Sequence, residues 1–192
     1  LKFMPAHLVS DSDFKARFVR EAEATAKLSH SNIVTIYEVA EYNGRPFFAM
    51  ELVEGQSLRD LIKSKELGFE RIIELAIQIC DGLSAAHNKK VVHRDIKPSN
   101  IVIDAYGRPK ILDFGLATVQ GGEQLTKTGS TLGTIRYMSP EQVSNSEIDA
   151  RTDIWSLGVV FYEMLTKQAP FQDSYNEDLM YSIVIEAPIA IT

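Results

Sequence analysis

His93-Arg94-Asp95-Ile96-Lys97-Pro98-Ser99-Asn100 runs directly into Ile101-Val102-Ile103-Asp104-Ala105-Tyr106-Gly107-Arg108-Pro109-Lys110-Ile111-Leu112-Asp113-Phe114-Gly115, and this stretch decides how the rest of the chain is read. Two short β-branched-rich runs, 101–103 and 111–112, flank a segment of Asp, Gly and Pro with the composition of a turn, so the pattern predicts a hairpin. Asn100 enters its first strand and Asp113 leaves its second, which brings an amide and a carboxylate to one end. Such hard oxygen donors suit a Mg²⁺ ion that keeps waters and phosphate oxygens as its remaining ligands. Asp95 and Lys97 lie just upstream. A carboxylate there can orient a hydroxyl and accept its proton, and an ammonium there can neutralise charge on a transferring phosphoryl group.

The order H-R-D-x-K-P-x-N followed by D-F-G at the end of the next strand resembles the catalytic loop, metal-binding strand pair and D-F-G motif of eukaryotic-type (Hanks-type) Ser/Thr protein kinases. H-R-D alone is a weak signal; the combined spacing is a specific one. Ala16-Arg17-Phe18-Val19-Arg20-Glu21-Ala22, Ser31-Asn32-Ile33-Val34-Thr35-Ile36-Tyr37-Glu38-Val39 and Ser139-Pro140-Glu141-Gln142 resemble the bacterial members. The resemblance implies an α+β, bilobal fold with a small β-rich lobe over residues 1–53 and a mainly helical large lobe over residues 54–192.

Bulk composition fits one packed unit of this kind. The 192 residues are 45% hydrophobic, and a net charge of −6 argues against a general nucleic-acid binder, which shows a basic face. The single cysteine, Cys80, excludes an internal disulfide, and its place in an apolar helical stripe predicts a small core residue. No apolar run approaches the ~20 residues needed to cross a bilayer.

Along the chain, Leu1-Lys2-Phe3 reads as the end of a strand. Ser10-Asp11-Ser12-Asp13 offers helix N-caps, with Phe14, Phe18, Ala22 and Thr25 at helical spacing as far as Leu28. Ile33 to Val39 and Pro46 to Val53 read as strands around an Asn43-Gly44 turn, and Glu54-Gly55 as a flexible exit into a short helix with Leu58, Leu61 and Ile62. Phe69 to Asn88 is a long helix with Ile72, Ile73, Leu75, Ala76, Ile79, Leu83 and Ala86 as its stripe, and His87 as packing at its end. Asp153 opens another apolar helix that Ala169-Pro170-Phe171 stops, and Glu177 to Ile185 is a further helix.

What the resemblance implies for individual residues goes beyond these patterns. Taken alone, Lys2 is a terminal charge and Glu21 one of several helix charges; as kinase positions they form an ion pair that holds Lys2 against the phosphates of ATP. Met50 becomes the gatekeeper, Glu51 to Val53 the hinge that meets the adenine edge, and Val102 part of the apolar floor beneath it. Asp95 and Lys97 are the catalytic pair, and Asn100 and Asp113 hold Mg²⁺. His93 stacks beneath Phe114, beside Gly115, in a column with Thr25 and Ile36. Asp153 reads as a helix cap and, as a kinase position, as the carboxylate that ties down the catalytic-loop backbone, two roles that are compatible. Residues 116–137, rich in Gly and hydroxyls, match an activation segment in which Thr126 and Thr128 are phosphosites, with Ser130 and Thr131 behind them, and Arg94 pairs with the added phosphate. Thr134 with Lys97 marks the Ser/Thr version of the chemistry.

The implied cofactors are ATP and Mg²⁺, and the implied partners are protein substrates with Ser or Thr, plus a second copy for autophosphorylation. A cytoplasmic kinase domain, which such bacterial proteins often join to a membrane or sensor region, is the expected setting. A pseudokinase or scaffold and a small-molecule phosphotransferase are the alternatives; intact catalytic positions weigh against the first and the long segment closed by Gly133-Thr134 and Pro140-Glu141 against the second. The family's Gly-rich loop is expected before Leu1. Its last helices are expected after Thr192, with an arginine that pairs with Glu141 and whose loss typically costs ~3 to 5 kcal/mol. The 192 residues by themselves are therefore expected to bind nucleotide poorly.

Overall fold

The structure, a computed structural model, describes residues 1–64, 67–114 and 132–191. Its first sheet is antiparallel in the order β1-β3-β2, from β1 (Lys2–Phe3), β2 (Ile36–Tyr42) and β3 (Arg45–Met50). Asn43 and Gly44 have φ of 49° and 77°, the left-handed pair that a tight hairpin turn requires, so Asn-Gly sets the β2–β3 register. Helix α1 (Ser12–Ala26) lies against this sheet. Asp11 caps it, accepting from the backbone N–H groups of Asp13 and Phe14, and Phe14, Phe18 and Ala22 pack with Met4, Ile36 and Phe48 into a small core.

The expected strand over Ile33 to Val39 begins later than its β-branched content predicts, because Ile33 and Val34 turn toward a second sheet. Ile33 bridges Ile111 in parallel, Val34 N–H donates to Ile111 O at 3.0 Å, and the buried Asn32 amide donates to Pro109 O at 2.9 Å. That second sheet is antiparallel, order β4-β5-β6, from β4 (Gly55–Ser57), β5 (Ile101–Asp104) and β6 (Pro109–Ile111). The exit at Glu54-Gly55, expected to be flexible, leads at Gly55 into a paired strand. A Cβ on Gly55 would sit 2.0 Å from Ile103 O, so this glycine permits close backbone approach.

Helices α2 (Leu58–Ser64) and α3 (Phe69–Asn88) complete this half with the main core. Ile72, Leu75, Ala76, Ile79, Leu83 and Ala86 are buried, whereas Ile73 and Cys80 are exposed, correcting their predicted core placement. Seven residues apart, they share a face one step round the helix from the Ile72–Ile79 line. Leu28 and Ile33 join this larger core, so the two cores do not separate at one point in the chain.

The remaining helices are α4 (Leu132–Ile135), α5 (Pro140–Val143), α6 (Arg151–Thr166) and α7 (Asn176–Ile185). Ser139 and Gln142 form a reciprocal capping box on α5. Helix α6 ends at Lys167, left-handed with φ 59°, before the Ala169-Pro170-Phe171 stop is reached. Its N-cap is Ala150, so the helix-cap reading of Asp153 is corrected. Ile135, Phe171, Leu179 and Ile183 form a third cluster that seats α7 against the turn carrying Thr134.

Candidate active site

Asp153 holds the loop from below. Wholly buried in the first turn of α6, its carboxylate accepts from the N–H groups of His93 and Arg94, both at 2.8 Å, and from His87 Nε2 at 2.7 Å. Sequence reasoning missed this role of His87, because nothing local announces a partner so distant in the chain. Arg94 adopts φ 67°, a conformation costly for a side chain with a Cβ, and its anchored N–H helps hold it there. His93 is wholly buried; Nδ1 accepts from Asp95 N–H at 3.1 Å and Nε2 lies 2.7 Å from Leu112 O, a partner set that assigns the Nε2–H tautomer. Its ring meets Phe114 edge-on, with centroids 4.6 Å apart and planes at 61°, where stacking was expected.

This scaffold presents Asp95 within a polar cluster. Lys97 Nζ lies 2.8 Å from Asp95 Oδ2 and 3.4 Å from Thr134 Oγ1. Asn100 Nδ2 donates to both the backbone oxygen of Asp95, at 2.8 Å, and its Oδ2, at 2.9 Å. The amide nitrogen is committed, so Oδ1 is the atom of Asn100 that can meet a cation. Leu112 N–H donates to Asn100 O at 2.8 Å, extending the β5–β6 ladder and bringing Asp113 to the same end of the hairpin. Asp113 leaves the ladder at φ 62°. An amide oxygen and a carboxylate fit the donor chemistry of Mg²⁺.

The cations pair differently from the expectation. Lys2 Nζ lies 2.6 Å from Asp113 Oδ1, and Glu21 Oε1 lies 3.3 Å from Arg94 Nη1, in place of a Lys2–Glu21 pair. This cross pairing gives each of the two acids a cation. Lys2 gains its reach from β1, where it faces Phe48 across the ladder.

On the hinge side, Glu51 follows β3 directly and its N–H donates to Thr35 O at 2.8 Å. Its carboxylate meets Lys110 at 2.8 Å and accepts from Thr35 N–H at 3.2 Å. Burial pushes this carboxyl up, but the Lys110 and Thr35 contacts outweigh it and hold it below its ordinary value. Lys110 faces Val102 across the β5–β6 ladder; Ile101, Ile103, Pro109 and Ile111 are buried while these two are half-buried, so both point to the hinge side. Met50 and Val53 bracket Glu51 in sequence. Reading the hinge as backbone chemistry missed the Glu51–Lys110 bridge, for which the only signal is a charged residue on the face of a strand opposite the core.

Glu141 accepts from Thr152 Oγ1 at 2.6 Å; burial opposes, yet this bond and its neighbours keep the carboxyl below its ordinary value. Gly115, Thr126, Thr128, Ser130 and Thr131 lie outside the described residues.

Comparison with known proteins agrees with this arrangement. A family model described as protein kinase domain matches residues 1–191. The probable serine/threonine-protein kinase SCO3848 of Streptomyces coelicolor is 40% identical over 99% of this chain, which covers 29% of that protein. Serine/threonine-protein kinase PknB of Mycobacterium tuberculosis is 38% identical over 98% of this chain and 31% of its own length. PknL of Mycobacterium bovis is 41% identical over 89% of this chain and 43% of its own length. The chain thus spans less than a third of the first two relatives, and it belongs to the protein kinase domain family.

Proposed function

We propose that this chain carries the catalytic residues of a kinase that transfers the γ-phosphoryl group of ATP to Ser or Thr hydroxyls of proteins. The observation that carries the reading is the Asp95 carboxylate, held by Asn100 and Lys97 beside Thr134. Asp95 orients the acceptor hydroxyl and takes its proton as the new P–O bond forms and the bond from the γ-phosphorus to the bridging oxygen breaks, releasing ADP. Lys97, already 2.8 Å from that carboxylate, neutralises charge on the phosphoryl oxygens. Asn100 Oδ1 and Asp113 would hold Mg²⁺, which when bound neutralises the nucleotide phosphates.

Lys2 contributes by moving from Asp113 to the α and β phosphates, with Glu21 leaving Arg94 to steady it. Backbone groups of Glu51 and Val53 meet the adenine edge, Met50 lines the back of the slot and Val102 its floor. As Glu21 turns to Lys2, Arg94 meets a phosphate on Thr126 or Thr128, which a second copy of the chain adds. The domain works in the cytoplasm, where ATP is available; among the described residues no helix is long and apolar enough to cross a membrane.

Asp95→Asn in the full-length protein tests the reading. Phosphate transfer to a general protein acceptor should fall roughly 10² to 10⁴-fold while binding of a fluorescent ATP analogue persists. Wild-type protein that transfers no phosphate, or a variant as active as wild type, overturns it.

A further inference from the structure

Gln142 is the third residue of α5, and only half of its side-chain amide serves the helix. In the capping box, Oε1 accepts from Ser139 N–H at 3.0 Å while Ser139 Oγ accepts from Gln142 N–H at 3.3 Å. A glutamate would serve that cap equally well, because the cap asks this side chain only for an acceptor. The amide adds a donor. Half-buried, its Nε2 reaches out of α5 to Arg94 O at 2.8 Å, across 48 positions of sequence.

That bond falls on the peptide group leading into Asp95. Arg94 O and Asp95 N–H belong to one planar unit, and its other end is also held, since Asp95 N–H donates to His93 Nδ1 at 3.1 Å. Arg94 N–H is fixed separately by Asp153 at 2.8 Å. Arg94 therefore has both of its backbone groups engaged by side chains from outside the loop, as a residue kept at φ 67° needs. The two grips share a mount. Wholly buried Ser139 donates to Thr152 Oγ1 at 3.3 Å, and Thr152 precedes Asp153 in the first turn of α6.

We propose that Gln142 is a positioning residue for Asp95: through Arg94 O it fixes the plane of the peptide that aims the Asp95 carboxylate. The proposal rests on the phosphotransfer reading above. Gln142 touches no reacting group, so its effect is geometric. Because α5 follows the turn that carries Thr134 and Tyr137, this amide ties the close of that stretch to the loop on which the proton is taken.

Gln142→Met and Gln142→Glu in the full-length protein test the role. Methionine, of similar size, loses both amide bonds, and kcat should fall roughly 10-fold with the KM for ATP within about two-fold of wild type. Glutamate keeps the cap but, when ionised, sets an oxygen against Arg94 O. Once protonated, it donates its O–H there while its carbonyl accepts from Ser139 N–H, and that bond to the neutral form raises its pKa above the ordinary carboxyl value. The ratio of Gln142→Glu to wild-type kcat should therefore climb at least about two-fold from about pH 8 to about pH 5.5, while the Gln142→Met ratio stays flat. Asp95, Asp153, His87 and Glu141, the ionisable groups around the amide, are common to all three proteins and divide out of these ratios. A Gln142→Met kcat within about two-fold of wild type, or a Gln142→Glu ratio that does not move with pH, overturns the role of Gln142 and leaves phosphotransfer standing. Wild-type protein that phosphorylates no acceptor removes the kinase reading, and this proposal with it.

Discussion

Replacing Asp153 by Asn tests whether the loop that carries Asp95 is held from beneath. The buried carboxylate serves Arg94 N–H through Oδ1 and both His93 N–H and His87 Nε2 through Oδ2. An amide has one acceptor oxygen. Placed toward Arg94, it turns its NH₂ on two donors; placed the other way, it turns it on Arg94. At least one buried N–H then loses its acceptor, which costs about 1 to 3 kcal/mol, whereas Asp153→Ala strips all three and costs roughly 3 to 5 kcal/mol. Against a typical domain stability of about 5 to 15 kcal/mol, the Asn variant stays folded enough to assay. Its kinetic effect follows from the placement that keeps the two bonds at the Oδ2 side and gives up the one to Arg94, whose φ of 67° then relaxes and drags Asp95 with it. Misplacement by about 1 Å can cost ~10²-fold, so kcat should drop 10- to 100-fold with the KM for ATP little changed. Urea unfolding and steady-state kinetics on the full-length protein supply both numbers. An Asn variant within about 0.3 kcal/mol of wild type, or one with kcat within two-fold, refutes the reasoning.

Two glycines predict opposite signs for one substitution. A Cβ on Gly82 of α3 would lie 3.0 Å from Ile111 Cδ1 and 3.3 Å from Asn32 Cβ, so Gly82→Ala should destabilise by about 1 to 3 kcal/mol, while Gly158→Ala on α6, with nothing within 4 Å, should stabilise by about 0.5 to 1 kcal/mol. Chemical denaturation of both variants checks this, and equal shifts would contradict the packing at α3. The Glu51–Lys110 bridge predicts a pH dependence. Because Glu51 is depressed below 4.5 in the fold, its contribution is fully present above that value and is lost as pH falls through the folded pKa. Glu51→Gln should therefore be about 1 kcal/mol less stable than wild type at pH 7, with the gap closing below about pH 4.5. Thermal melts from pH 7 to pH 3 that show a constant gap would exclude the carboxylate as the cause.

The parts of the site legible in the sequence are those set by short-range pattern. The 101–111 hairpin follows from two apolar runs around a Gly-Pro turn, and it alone brings Asn100 and Asp113 to one end. The bounds of α3 follow from an uninterrupted stripe. Glycines and charges were harder, because each has two physical uses with one sequence signature. Gly55 looked like freedom and is close approach to Ile103 O. Lys2, Glu21, Arg94 and Asp113 are visible as charges, but their pairing is decided by which ends meet in space, and the sequence leaves it open. On the proposed reading, nucleotide phosphates would add negative charge for Lys2 and a phosphothreonine would add it for Arg94, so each new anion would compete with one partner, and the pairing seen here is the one that binding and phosphorylation would reset.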